Sequence, residues 1–316
     1  MTQRRLTQTE LKRALELVEE HGTITAAARA LGVPRETFQH RVTEARSLLG
    51  KAAVPTQANI LTLDIESSPI EAYVWGLWEQ NVGLDFIKTE WTILSYAAKW
   101  LGESKVYYSD TGGRGANRVR DDKKLVGEIL KLLDEADIVV AQNGKKFDVR
   151  KINARLIEHG FPPPRPFRVV DTLLVARKLF AFTSQKLAWT SQHLTTTPKE
   201  EHKKFPGFEL WKECLKDNSR AWAEMEKYNK RDVIATEQLY LRLRPWIDNH
   251  PNIGAFEPSK DPVCPKCGSD KLKREGRSTK QQNQYPSYRC QSCGGWSRGK
   301  ELLVPLDLRR KLLVPT

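Results

Sequence analysis

The stretch NILTLDIESSP, residues 59–69, decides the fold. Ile60 to Leu63 read as a buried strand, yet the strand runs straight into Asp64 and, two positions on, Glu66. Alternation along a strand puts both carboxylates on one face, where like charges repel. A cation between them removes the conflict, and oxygen ligands of this kind suit Mg2+ or Mn2+. Asp-x-Glu alone is common by chance. The plain alternative has both acids capping a turn beside Ser67 and Ser68.

Outward from this strand the sequence alternates strand and helix patterns. Strands are expected over 60–64, 70–78 (IEAYVWGLW), 92–100, 105–110 and 138–143 (IVVAQN), with a short one in FRVVDTL. Residues 121–137 form an amphipathic helix, with Leu125, Ile129 and Leu132 on one face. KKFDVRKINARLIEHG is a second helix ending at Gly160, and residues after 173 are mostly helical up to Trp246. Meandering strands followed by αβα units predict an α/β fold, a mixed sheet with helices on both faces.

Two further acids follow. Asp148 stands at the strand–helix junction NGKKFD, and YNKRDVIATEQLY puts Tyr228 and Asp232 four apart on one helix face. Taken singly, Asp148 is an ordinary acid of a first helical turn, and Asp232 a partner for Lys230 or Arg231. Asp171, in VVDTLLVAR, reads as a helix cap and not as a further ligand.

Asp-x-Glu after an apolar strand, Asn143-x-x-x-Phe147-Asp148, and Tyr228-x-x-x-Asp232 on a late helix together resemble the three motifs of the DEDDy exonucleases. That group includes DnaQ-like and family B polymerase proofreading domains and the YprB-type ribonuclease H-like domains of bacterial and phage proteins. The resemblance spans roughly 58–246. The related histidine subgroup places His five residues before the last Asp, and Lys227 stands there instead. The resemblance implies a ribonuclease H-like mixed sheet flanked by helices. It implies two Mg2+ or Mn2+ ions held by Asp64, Glu66, Asp148 and Asp232, with Tyr228 orienting the attacking water as a phenol. The implied reaction is 3′–5′ exonucleolytic hydrolysis of phosphodiester bonds, with DNA favoured over RNA, releasing 5′-mononucleotides. Asn143 and Phe147 would shape the second motif and the substrate cleft. Lys145 and Lys146 could meet phosphates or be solvated surface lysines.

Both flanks are basic. Net charge is +13; residues 57–255 hold 30 Lys/Arg against 27 Asp/Glu, whereas 256–316 hold 13 against 6. Nucleic acid is the partner such flanks suit. Over 6–50, Leu11, Leu15 and Val18 mark one helix face, Thr23 caps a short Ala-rich helix, Gly32 turns the chain, and Pro34 opens a third helix with Phe38 and Val42 inward. This resembles homeodomain-like and Fis-type helix-turn-helix domains, in which Arg35, Thr37, Gln39, His40 and Arg41 would meet a groove. A three-helix protein-docking module is the alternative.

KAAVPTQAN (51–59) reads as a linker, which gives three expected domains, 1–52, 58–250 and 258–316. In the last, Cys264/Cys267 and Cys290/Cys293 form two Cys-x-x-Cys pairs separated by 22 residues, slightly beyond the usual window. Four thiolates favour one structural Zn2+, and the segment resembles a zinc ribbon; two disulfides are the alternative. Lys271, Lys273, Arg274 and Arg289 are candidate phosphate contacts. Tyr285, Tyr288 and Trp296 either stack on bases or pack the ribbon. Cys214 reads as an isolated buried thiol.

No apolar run approaches the roughly 18 residues that cross a bilayer, and the N-terminus lacks the apolar core of a signal peptide. A cytoplasmic protein is expected, with no membrane partner and with replication or repair proteins as candidate partners. The length and motifs of a polymerase are missing, so any proofreading would act in trans. A ribonuclease or structure-specific endonuclease on the same fold, and a non-enzymatic DNA-binding regulator, are the competing readings.

Overall fold

The structure, a computed structural model, describes residues 8–49, 58–200, 202–256, 259 and 261–313. The expected linker lies outside the described residues over 51–57, as do residues 6, 7 and 50, the side chain of Leu11, and residues 258, 260 and 314–316. The chain divides into two compact units. One is Ile60–Leu243, and the other gathers the sequence on either side of it.

The N-terminal residues fold as three helices, α1 (Gln8–His21), α2 (Ile24–Ala30) and α3 (Arg35–Leu49). Thr23 caps α2, its hydroxyl accepting from Ala26 N–H at 3.0 Å. The turn into α3 runs through Gly32. Leu15, Val18, Ile24, Ala27, Phe38 and Val42 form the small core. With Phe38 and Val42 turned inward, Thr37 and His40 are exposed, and Arg35, Gln39 and Arg41 partly so.

Ile60–Leu243 holds, in chain order, β1 (Ile60–Ser67), β2 (Glu71–Ala72), β3 (Ile87–Thr89), β4 (Ile93–Trp100), β5 (Val106–Asp110), α4 (Lys123–Glu135), β6 (Ile138–Ala141), α5 (Asp148–Glu158), β7 (Arg168–Asp171), α6 (Thr172–Leu179), α7 (Leu187–Leu194), α8 (Glu209–Leu215) and α9 (Ser219–Leu243). The main sheet has the order β5-β4-β1-β6-β7. β1 runs antiparallel to β4 and parallel to β6, so it sits where the sheet changes sense. Leu61, Leu63 and Ile65 face α4 and α5 and pack on Leu125, Ile129, Ile152 and Leu156; each such fully buried side chain contributes about 1.5–3 kcal/mol. Helix α9 covers the opposite face, against β1, β4, β5 and β6. A mixed sheet with helices on both faces is the ribonuclease H-like arrangement expected from the sequence.

One expected strand does not form. Over 70–78 only Glu71–Ala72 is extended and paired, with β3 in a separate two-stranded sheet. Residues 73–78 leave it and expose Tyr73, Val74, Trp75, Leu77 and Trp78. β-Branched and aromatic residues read as a buried strand, but a strand also needs a partner, and here β4 takes the place beside β1.

The C-terminal residues form a three-stranded antiparallel sheet, β8 (Leu272–Lys280), β9 (Asn283–Cys290) and β10 (Trp296–Arg298), in the order β10-β9-β8, followed by α10 (Leu306–Arg309). Among the described residues, no helix is long and apolar enough to cross a membrane.

Candidate functional site

β1 positions the first two acids. Asp64 lies opposite Ala97 and Glu66 opposite Ser95 of β4, and both side chains project toward α9. The register slips immediately after Glu66, where β1 ends. Asn229 of α9 donates to Asp64 Oδ2 at 2.5 Å and accepts from the Ser95 hydroxyl at 3.1 Å, tying helix to strand. The Trp211 side chain of α8 lies near Glu66 and favours its charged form.

Asp148 is the first residue of α5 and accepts from the backbone N–H of Ile65 at 3.1 Å, which fixes it between the two acids of β1. The turn that delivers it is tight. Asn143 sits at φ 66°, left-handed space that Asn tolerates. A Cβ at Gly144 would stand 2.4 Å from that of Ala141. Asp171 caps α6 as expected, accepting from Leu173 and Leu174, and it also takes the backbone N–H groups of Asn143 and Lys145. Lys145 and Lys146 are exposed. Phe147 is partly open at the start of α5, with the Lys151 ammonium 5.2 Å from its ring and 3.6 Å from that of Trp91.

Helix α9 supplies Tyr228 and Asp232. The Tyr228 ring meets His202 and Trp211 edge-on, with centroids 5.2 and 6.1 Å away. Asp232 is 3% exposed. Its Oδ2 accepts from the Lys199 ammonium, which also donates to the Tyr228 hydroxyl at 2.7 Å. Its Oδ1 is buried and has no hydrogen-bond partner among the described residues.

The four acids thus converge from β1, α5 and α9 and feel one another's charge. Burial, then Glu66, Asp148 and Asp232, push the Asp64 carboxyl well up from its ordinary value. Burial pushes Glu66 up to about 8 against the pull of Lys199, and Asp148 up to about 7. Asp232 is raised by burial, with Lys199 opposing. Burial would lower Lys199, but the Asp232 carboxylate outweighs it and raises the ammonium. Burial and the neighbouring Glu66 and Asp232 keep Tyr228 a phenol. One ammonium cannot neutralise four crowded carboxyls once they ionise, which is why burial and mutual repulsion hold their protons on. Four hard oxygen donors and the orphaned Asp232 Oδ1 fit divalent cations. No three of these acids bring ligand atoms within 4.8 Å of one another. Beside the acids an open cleft of about 530 Å3 is lined by Gln142, Arg177, Lys186 and Lys199 among others.

The second ligand group is compact. Cys264, Cys267, Cys290 and Cys293 bring their sulfurs within 4.8 Å of one another, and all four are free thiols. Cys264–Cys293 and Cys267–Cys290 are 3.7 and 3.6 Å apart. A tetrahedron of 2.3 Å Zn–S bonds has edges of about 3.8 Å, so the sulfurs fit one tetrahedral ion. Gly268 and Gly294, immediately after each pair, take φ of 78° and 76° and turn each knuckle back. Lys271, Lys273, Arg274 and Arg289 are all exposed, and Lys273 lies directly across from Arg289. Like charges so placed disfavour the sheet unless an anion lies over them. Tyr285 carries the Arg298 guanidinium 4.1 Å above its ring. Cys214 is buried, and burial pushes its thiol up to about 12.

Sequence reasoning missed Lys199, Asn229 and Trp211. Asn229 adjoins Tyr228 and lies three residues before Asp232 on the same helix, so its position was open to view. Lys199 and Trp211 stand in a loop and a short helix whose spacing says nothing of the acids.

A family model described as the RNase_H superfamily matches residues 104–244, which include Asp148, Tyr228 and Asp232 and begin after Asp64 and Glu66. A solved family B DNA polymerase from the hyperthermophilic archaeon Pyrobaculum calidifontis is similar over 62% of this chain and 26% of its own, at 16% identity and a TM-score of 0.42. The chain thus spans about a quarter of that polymerase's length. No curated protein matches the sequence.

Proposed function

We propose that the protein is a metal-dependent 3′–5′ exonuclease acting on nucleic acid, DNA by preference, with nucleic-acid-binding segments on either side of its catalytic unit. The observation that carries this reading is the buried, unpartnered Asp232 Oδ1 among Asp64, Glu66 and Asp148. The matched RNase_H superfamily segment supports the nuclease class. A pair of Mg2+ or Mn2+ ions, when bound, would supply the positive charge that stabilises a phosphodiester in hydrolysis. Asp64, Glu66, Asp148 and Asp232 would hold them.

The chain's own groups do the rest. Tyr228 keeps its proton and can donate or accept a single hydrogen bond toward an attacking water. Lys199 holds that hydroxyl in place and offsets part of the carboxylate charge. Asn229 and Ile65 N–H fix the rotamers of Asp64 and Asp148, so the donor set is preorganised. The exposed cations of the C-terminal sheet and the partly exposed Arg35 and Arg41 of α3 would raise the local concentration of a polyanion without touching the reacting bond.

The test is hydrolysis of end-labelled single- and double-stranded DNA and RNA with Mg2+ or Mn2+. Loss of 3′ label as mononucleotides, suppressed by EDTA and reduced at least about a thousandfold by Asp232→Asn, is the expected result. Internal fragments would reassign the activity as endonucleolytic. Binding without cleavage under every condition would overturn the enzyme reading.

A further inference from the structure

The hairpin between β2 and β3 has no part in the chemistry above. Its stem is fixed. Arg120 donates to the Ser68 hydroxyl at 2.9 Å, to the carbonyl of Glu90 at 3.0 Å and to the Glu71 carboxylate at 2.6 Å. Tyr73 N–H closes the neck onto the carbonyl of Phe86 at 2.9 Å. Beyond the neck, Trp75 is 92% exposed, Leu77 86% and Trp78 84%. Two tryptophans held open to water on a clamped stem are a costly arrangement for a folded surface.

Its position narrows what covers it. The hairpin leaves β1 through Ser67, Ser68 and Pro69, directly after Glu66, so it is rooted at the acid cluster. Arg120, its clamp, belongs to the loop that carries Arg114 and exposed Arg118 and leads into exposed Lys123 and Lys124 of α4. The tip itself has no lysine or arginine between Tyr73 and Ile87. The tip carries Glu79 and Asp85 instead, so cations are offered by the loop of Arg120 and not by the tip. Flat aromatic faces on a stem clamped to a cation-bearing loop, rooted beside the acid cluster, match an unpaired strand. Bases stack on aromatic rings whatever their sequence, while phosphates meet the cations.

We propose that this hairpin is a stacking platform for unpaired bases of the substrate strand, with Trp75 and Trp78 as the base contacts. The nature of the ligand rests on the nuclease reading above. The full chain carrying Asp232→Asn is titrated in EDTA with a short single-stranded oligodeoxynucleotide and with an abasic strand of the same length and charge. In Trp75→Ala/Trp78→Ala, binding of the base-bearing strand weakens at least about tenfold, whereas abasic binding changes by less than about twofold. Trp75→Leu/Trp78→Leu, which keeps apolar bulk and removes the rings, behaves like the alanine variant.

Equal loss on both strands, no loss on either, normal binding by the leucine variant, or no binding by the parent overturns the proposal. Unchanged binding leaves the tip to a protein partner. Hydrolysis by protein with native Asp232 reports separately on the nuclease. Hydrolysis with tryptophan-independent binding sinks only the platform, and base-selective binding without hydrolysis sinks only the nuclease.

Discussion

Asp232 shows how much of the site one side chain can state. Its Oδ2 is held by Lys199, and its buried Oδ1 has no hydrogen-bond partner among the described residues. Lys199 is therefore the group that lets the acid cluster persist before any divalent ion arrives. Replacing it by Met leaves Asp232 buried without its cation, at a cost on the order of 1–3 kcal/mol. In EDTA the melting temperature of Lys199→Met falls by several degrees. Mn2+ then raises it more than it raises the wild type, because the ion replaces a missing charge. Differential scanning calorimetry with and without Mn2+ checks this; an equal Mn2+ increment in both proteins would show that Lys199 stands apart from the ion site. The acids and Tyr228 were candidates in the sequence because three motifs, in order, resemble those of the DEDDy exonucleases; strand and helix periods alone left each acid an ordinary role. Lys199 was not, because its partner lies 33 residues away across a loop, and no local period encodes that distance.

At the scale of elements, the packing of α4 and α5 on β4 turns on one buried carboxylate. Asp122, fully buried just before α4, accepts from Ile93 N–H at 2.8 Å, from Arg155 of α5 in a two-pronged contact at 2.7 and 2.8 Å, and contacts His159 at 2.6 Å. Burial would raise its carboxyl, but the Arg155, Ile93 and His159 bonds hold it below the ordinary range. A depressed pKa adds stability that is complete above the unfolded value of about 4 and fades as pH falls through the lower folded value. Asp122→Asn therefore has a lower urea midpoint than wild type above pH 5. That margin narrows below pH 4. Asp122→Ala costs about 3–5 kcal/mol, since it takes the carboxylate from Nε and Nη2 of the largely buried Arg155 and leaves the guanidinium with Glu158 and His159. A margin that grew on acidification would refute the assignment. Sequence gave no view of this staple, although the amphipathic stripe of α4 and the apolar run of β6 were plain in it. The misread strand over 70–78 failed for the converse reason. Its residues have strand propensity, but pairing is a property of the sheet, and the aromatic tip is turned to solvent.

Across the whole molecule, charge and chemistry are separated along the sequence. The acids that would hold ions lie in the nearly neutral Ile60–Leu243 unit, and the surplus of cations lies outside it. This division predicts that losing the cysteine centre weakens substrate capture without slowing hydrolysis. Among its described residues the C-terminal sheet has few buried apolar side chains, so a tetrahedral ion held by the four sulfurs would order it. In Cys290→Ser, elemental analysis finds the zinc lost, while Ile60–Leu243 keeps its own core and its unfolding transition. Hydrolysis at saturating substrate stays within about twofold of wild type, while KM rises and its logarithmic salt dependence becomes shallower, because fewer phosphates are neutralised. The KM gap between the two proteins is then widest at low salt and closes as salt rises. A fall in the saturated rate with an unchanged salt slope would mean that the cysteine centre shapes the reacting groups themselves, and the separation of binding from chemistry would fail with it.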